Sequence, residues 1–117
     1  MSKTKGFTRL ERVKQSEEIQ RLFKKGRSFS TNGAKLFILE NNLNYNRIVF
    51  TLRRGYGNAV QRNKSKRISR EVYRNTKEKL NTGYDLLLLV FSGNDSYISR
   101  SEQMCCLFKK AGIMREL

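Results

Sequence analysis

Apolar residues recur along this chain in different rhythms, and each rhythm predicts a different element. Ile19, Leu22 and Phe23 stand at helical spacing behind Ser16, which is suited to cap a short helix. Glu17 and Glu18 fall in its first turn, where the helix dipole favours negative charge, and Gly26 marks its end. From Arg27 to Ser30 the pattern predicts a strand, Asn32-Gly33 a hairpin turn, and Ala34 to Glu40 a longer strand. "NNLN" then turns the chain into a third strand, "RIVFTLR". The nearly continuous apolar runs Leu36 to Leu39 and Ile48 to Leu52 predict a sheet partly covered on both faces.

Beyond the third strand, Gly57 and Asn58 open a long helix, with Asn58 as its N-cap, running to about Leu80 and ended by "NTG". "YDLLLLVF" is the most apolar stretch and reads as a central buried strand. A last helix between Ser96 and Ala111 is expected to bury Tyr97, Ile98, Met104, Cys105 and Phe108 on one face. One domain over 1–117 follows, with 1–14 as a flexible basic segment ahead of the first helix.

On the long helix the polar positions are not mixed. Turning each residue by about 100° puts Lys66, Lys77, Arg70, Arg74 and Arg67 within roughly 140° of Arg62, with Asn63 among them and Ile68, Val72 and Thr76 on the opposite side. Solvated helices gain from i,i+4 pairs of opposite sign, yet "GNAVQRNKSKRISREVYR" holds six Arg and Lys and one carboxylate, Glu71. Such repulsion is understandable if phosphates neutralise it. The whole chain carries +15 over 117 residues, which asks for a polyanionic partner. That charge lies in 1–27 and 53–79; the segment 80–117 is neutral. An anionic membrane is the poorer partner, because the helix's apolar face carries Ser65 and Ser69 and no row of large apolar residues.

Absences narrow the chemistry. With no histidine, Ser/His and Cys/His catalytic pairs and His-containing zinc sites are excluded. The ten carboxylates are scattered, and the two cysteines, Cys105 and Cys106, are adjacent, which disfavours a disulfide between them and fits a reducing cytoplasm. No metal site and no obligate protein partner is evident, and no apolar run approaches a membrane span. Any catalysis would have to be carried by something else.

The segment 57–74 resembles the signature of the protein subunit of bacterial ribonuclease P. It has the Gly-Asn-Ala-Val start followed by Arg62-Asn63-Lys64, Lys66-Arg67 and Arg70-Glu71. The resemblance extends to "FKKG", "KLFILE" and "LFKKAG", and so covers nearly the whole chain. It implies an α+β fold, a single-domain α-β-β-β-α-β-α sandwich with a left-handed crossover through the basic helix. It also implies a protein cofactor for a catalytic RNA that, with Mg2+ bound mainly through the RNA, removes the 5′ leader of precursor tRNA.

Carried over by position, Asn58, Arg62, Asn63, Lys64, Lys66, Arg67 and Arg70 would contact the RNA subunit. Ile19, Phe23 and Phe37, with Arg53 and Arg54, would hold the single-stranded leader. Bases stack on aromatic faces without demanding a particular sequence, as a general tRNA-processing subunit requires. The chain departs from the pattern in several places: Ile19 stands where an aromatic is frequent, Leu52-Arg53-Arg54 for Ser-Lys-Lys, which removes a hydroxyl, Lys64 for Arg, and Ser65 and Ser69 for apolar residues. A ribosomal protein or RNA chaperone would share the charge, and a metal-dependent nuclease would need clustered carboxylates.

Overall fold

The computed structural model describes residues 11–91 and 95–115. Its elements follow the order α1 (Ser16–Lys25), β1 (Arg27–Thr31), β2 (Ala34–Glu40), β3 (Arg47–Leu52), α2 (Ala59–Thr76), β4 (Tyr84–Val90) and α3 (Tyr97–Lys110), with a short 3-10 turn at Lys77–Lys79. This is the expected mixed α+β arrangement. The four strands form one sheet in the order β1-β2-β4-β3. β2 pairs antiparallel with β1 and with β4, whereas β3 and β4 run parallel, so α2 is the crossover between them. The leucine-rich β4 is interior, as its apolar run predicts.

Alternation along the strands divides the apolar residues between two layers. Leu36, Ile38, Ile48, Leu86, Leu88 and Val90 face α2 and α3, where Val72, Tyr73, Met104, Leu107 and Phe108 complete the larger core. The opposite face holds Phe37, Leu39, Val49, Leu87 and Leu89 under a single short helix. Among the described residues only Val13 and Leu22 are buried there beside Leu87, while Ile19, Phe37, Leu39, Val49 and Leu89 are half-buried. Among the described residues a groove of about 270 Å³ runs beside α1, lined by Glu18, Arg21, Leu22 and Leu39.

Several boundaries differ from expectation. Gln15, not Ser16, occupies the N-cap of α1 and gives no side-chain cap. Gly26 ends that helix in an extended conformation, φ −69°; it is glycine because a Cβ would stand 2.5 Å from the Leu22 carbonyl oxygen. α2 stops at Thr76, whose hydroxyl donates back to the Val72 carbonyl, and the 3-10 turn delivers Leu80 to a bridge with Met114. The expected flexible segment 1–14 lies outside the described residues up to position 10. Glu11 to Lys14 are docked: Val13 is buried and its N–H donates to the Ile48 carbonyl.

The inward face of α3 is rotated from the one expected. Arg100, Met104, Leu107 and Phe108 are buried, while Tyr97 and Ile98 are exposed and Cys105 is half-buried. No helix among the described residues is long and apolar enough to cross a membrane.

Candidate nucleic-acid interface

The basic helix starts in a reciprocal box. Asn58 Oδ1 accepts from the Gln61 N–H at 2.9 Å, and Gln61 Oε1 accepts from the Asn58 N–H at 3.0 Å. Two otherwise unpaired helix-end donors are satisfied together. A Cβ at residue 57 would lie 2.4 Å from Gln61 Oε1, so a larger residue there would have to shift the Gln61 side chain out of this box. The Asn58 carbonyl oxygen is therefore committed to the helix, and only its amide NH2 is left to reach an outside acceptor.

Burial of Ser65, Ser69, Val72, Tyr73 and Thr76 fixes the rotation of α2. Asn63, Lys64, Arg67 and Arg70 then face solvent, with Arg62 and Lys66 half-buried beside them. None of these five cations is ion-paired to a described residue. Two cations expected on the same face are neutralised instead. Arg74 pairs with Glu71, and Lys77 lies 2.7 Å from Glu11, with side chains only 12% and 15% exposed. The uncompensated run ends at Arg70.

Arg53 and Arg54 extend this surface at the N-terminal end of α2. Arg62 Nη1 donates to the Arg53 carbonyl at 3.4 Å, and both arginine side chains are exposed. They line a cavity of about 500 Å³ with Tyr56, Gln61 and Asp95. Sequence reasoning missed two further contributors, Arg12 and Lys14, which share a second cavity of about 600 Å³ with Lys66 and Arg70. Their signal was present: a lone apolar Val13 between two basic residues, able to anchor both against the edge of β3.

On the other face of the sheet, Ile19, Phe23 and Phe37 do come together. Ile19 and Phe37 are half-buried and Phe23 is 43% exposed. Lys35 Nζ stands 5.5 Å from the centre of the Phe37 ring, close enough for a cation–π contact. Arg53 and Arg54 do not share this groove; they lie two strands from Phe37, beside Arg62.

At one end the groove is lined by an ion-paired cluster. Arg47 Nη2 lies 2.6 Å from Asp85 and 3.1 Å from Glu18, and Asn41 also donates to Asp85 at 2.9 Å. This clamp pins the first turn of α1 to the sheet. Hydrogen bonding to Asp85, chiefly, holds the Arg47 guanidinium above even its ordinary high pKa. Among the described residues no three His, Cys, Asp or Glu side chains gather in a way that could hold a metal ion. The three most buried carboxylates in ion pairs, Asp85, Glu11 and Asp95, are paired with Arg47, Lys77 and Arg100.

A segregated cationic surface, without ion pairs to described residues from Arg62 to Arg70, thus sits on a small mixed α+β scaffold. The family model "Ribonuclease P" matches residues 7–112, and the chain belongs to the ribonuclease P protein family. It is similar to the ribonuclease P protein component of Natranaerobius thermophilus, 44% identical over 77 residues, 66% of this chain and 67% of that protein. The corresponding component of Clostridium kluyveri is 32% identical over 108 residues, 89% of this chain and 96% of the relative. Solved structures share the fold. The RNase P protein of Staphylococcus aureus superposes with a TM-score of 0.78 at 22% identity, covering 90% of this chain and 98% of that one. That of Thermotoga maritima gives 0.75 at 24% identity, covering 86% and 96%.

Proposed function

We propose that this protein binds the catalytic RNA subunit of ribonuclease P through α2 and the single-stranded 5′ leader of precursor tRNA through the groove beside α1, assisting magnesium-dependent removal of the leader. The observation that carries the reading is the uncompensated run Arg62, Lys64, Lys66, Arg67 and Arg70 on one face of a helix whose opposite face is buried. Cations kept apart from carboxylates on a rigid element repel one another unless phosphates supply the opposite charge. Asn63, exposed within the run, can donate to and accept from an RNA group, and the Asn58 amide can donate to one. Each basic side chain contributes a point charge or, for arginine, a planar two-point donor.

The groove has different chemistry. Phe23 and Phe37 offer ring surface and Ile19 an apolar wall, with Lys35 above one ring to meet a phosphate. Bases would stack there without regard to sequence. Arg53 and Arg54 belong with the cationic surface rather than the groove, and would hold phosphates where a strand leaves one region for the other. The described carboxylates do not suit a resident divalent ion, so magnesium and the hydrolytic chemistry belong to the RNA in this reading, within a cytoplasmic ribonucleoprotein.

Titration of the protein against a bacterial ribonuclease P RNA across a range of salt tests the reading. Log affinity should fall against log salt with a slope of roughly 0.7 to 0.9 per neutralised phosphate, several phosphates being counted. A slope near zero would refute the cationic interface.

A further inference from the structure

Among the described residues Arg100 is the largest side chain with no exposed surface, and each of its nitrogens is hydrogen-bonded. Its Nε donates to Gln103 Oε1 at 3.0 Å, Nη1 to Ser69 Oγ at 2.6 Å and to the Ser65 carbonyl at 3.1 Å, and Nη2 to Asp95 Oδ1 at 2.5 Å. The same Asp95 oxygen accepts from the Tyr56 hydroxyl at 2.7 Å, and the Ser65 hydroxyl donates to the Tyr56 oxygen at 3.3 Å. Arg100, Asp95, Tyr56 and Ser65 thus close a ring. It joins α3, the residue before its N-cap, the turn before α2, and α2 itself.

The ring meets the cationic surface at Tyr56. Its N–H donates to the Arg53 carbonyl at 3.0 Å and closes the turn Arg53–Tyr56, and that carbonyl also accepts from Arg62. The exposed side chains of the turn are Arg53 and Arg54. A buried ion pair is a weak means of stabilisation, since apolar residues of similar volume commonly serve as well or better. What hydrogen bonds of fixed direction add is orientation.

We propose that Arg100 is a positioning residue: through Asp95 and Tyr56 it holds the Arg53–Arg54 turn, and through Ser65 and Ser69 it sets the rotation of α2, so that both basic elements form one RNA-facing surface. The proposal rests on the RNA-binding reading, yet asks no RNA contact of Arg100, which has no exposed surface.

Two variants of the full chain test it. Tyr56→Phe removes a single hydroxyl from the ring. The triple variant Arg100→Met, Ser65→Ala, Ser69→Ala removes the guanidinium and both serine hydroxyls and leaves Asp95 with Tyr56 alone. Without RNA, Tyr56→Phe should keep a Tm close to the parent's, the triple variant should lose stability because Asp95 loses its cation, and in both exchange of the Tyr56 amide should accelerate about tenfold, reporting local opening of the turn. With a bacterial ribonuclease P RNA as probe, affinity should fall about fivefold to tenfold. Substituting Arg53 and Arg54 by Ala should then cost much less in the Tyr56→Phe background than in the parent, because the turn no longer presents them. Unchanged Tyr56 exchange together with full additivity would overturn the proposal and leave Arg100 as core alone. If the triple variant fails to fold, Tyr56→Phe decides by itself, with Arg100 and both serines in place. Absence of RNA binding by the parent would overturn the functional reading, and the exchange comparison would still decide whether Arg100 holds the turn.

Discussion

The rings of Phe23 and Phe37 meet edge to face, 5.0 Å between centroids and 67° between planes, although 43% of Phe23 is exposed. An aromatic pair of this geometry gains about 0.5 to 1.5 kcal/mol beyond area burial, which holds the rings in place while leaving apolar surface open. Shortening either ring to Leu should preserve the fold, since the position stays apolar and changes little in volume. Holoenzyme affinity for precursor tRNA should nevertheless fall by up to about 1 to 3 kcal/mol for the lost stack. Binding of mature tRNA, which lacks the leader, should hardly change. Parallel losses for both substrates, together with a lower Tm, would assign the two phenylalanines to the core.

The split in the basic face makes a second prediction. Arg62→Ala and Asn63→Ala should weaken binding to the RNA subunit more than Lys77→Ala does, because Lys77 is paired with Glu11. A charge-assisted hydrogen bond is typically worth about 1.5 to 3 kcal/mol. Lys77→Ala should instead lower thermal stability, by breaking the ion pair with Glu11 and loosening the strap at Glu11–Lys14. Equal losses of RNA affinity at all three positions would indicate an unspecific basic surface.

Stability should fall at both extremes of pH for separate reasons. Burial pushes the Asp95 carboxyl up, but hydrogen bonds from Tyr56, Ser65 and Arg100, with the Arg100 charge, outweigh it and hold the group below its usual range. A depressed carboxylate contributes stability that is present above its unfolded pKa of about 3.9 and is lost as pH falls through the folded value. Asp95→Asn should therefore flatten the acid limb of a Tm-against-pH curve.

On the alkaline side, burial raises the Tyr73 phenol well above its ordinary value, and burial followed by the Asp95 hydrogen bond raises that of Tyr56. Raised groups lose their contribution as pH climbs past the unfolded value of about 10. Tyr73→Phe should shift that loss to higher pH, and identical alkaline limbs in parent and variant would exclude it.

Local chemistry made much of this fold legible. Asn32-Gly33 placed the hairpin, Asn58 the cap of α2, and "YDLLLLVF" the interior strand, each from a signal within a few residues. What escaped depends on contacts distant in sequence. Ser65 and Ser69 are polar on an otherwise core-facing stripe because Arg100, more than thirty residues later, is buried against them. The same arginine turns α3 so that Tyr97 and Ile98 face outward. Lys77 follows the periodicity of the basic face, yet Glu11 removes it. The rotation of α2 was readable because its burial is one-sided, whereas the separation of Arg53 and Arg54 from the Phe37 groove required the strand order.

Reconstitution with a bacterial ribonuclease P RNA tests the central claim most directly, with cleavage of precursor tRNA followed in magnesium for protein alone, RNA alone and the two together. The account predicts that the protein alone leaves the substrate intact, that adding it to the RNA accelerates release of the 5′ leader, and that Arg62→Ala diminishes the acceleration. Leader removal by the protein without RNA, or a rate with RNA that the protein does not change, would contradict it.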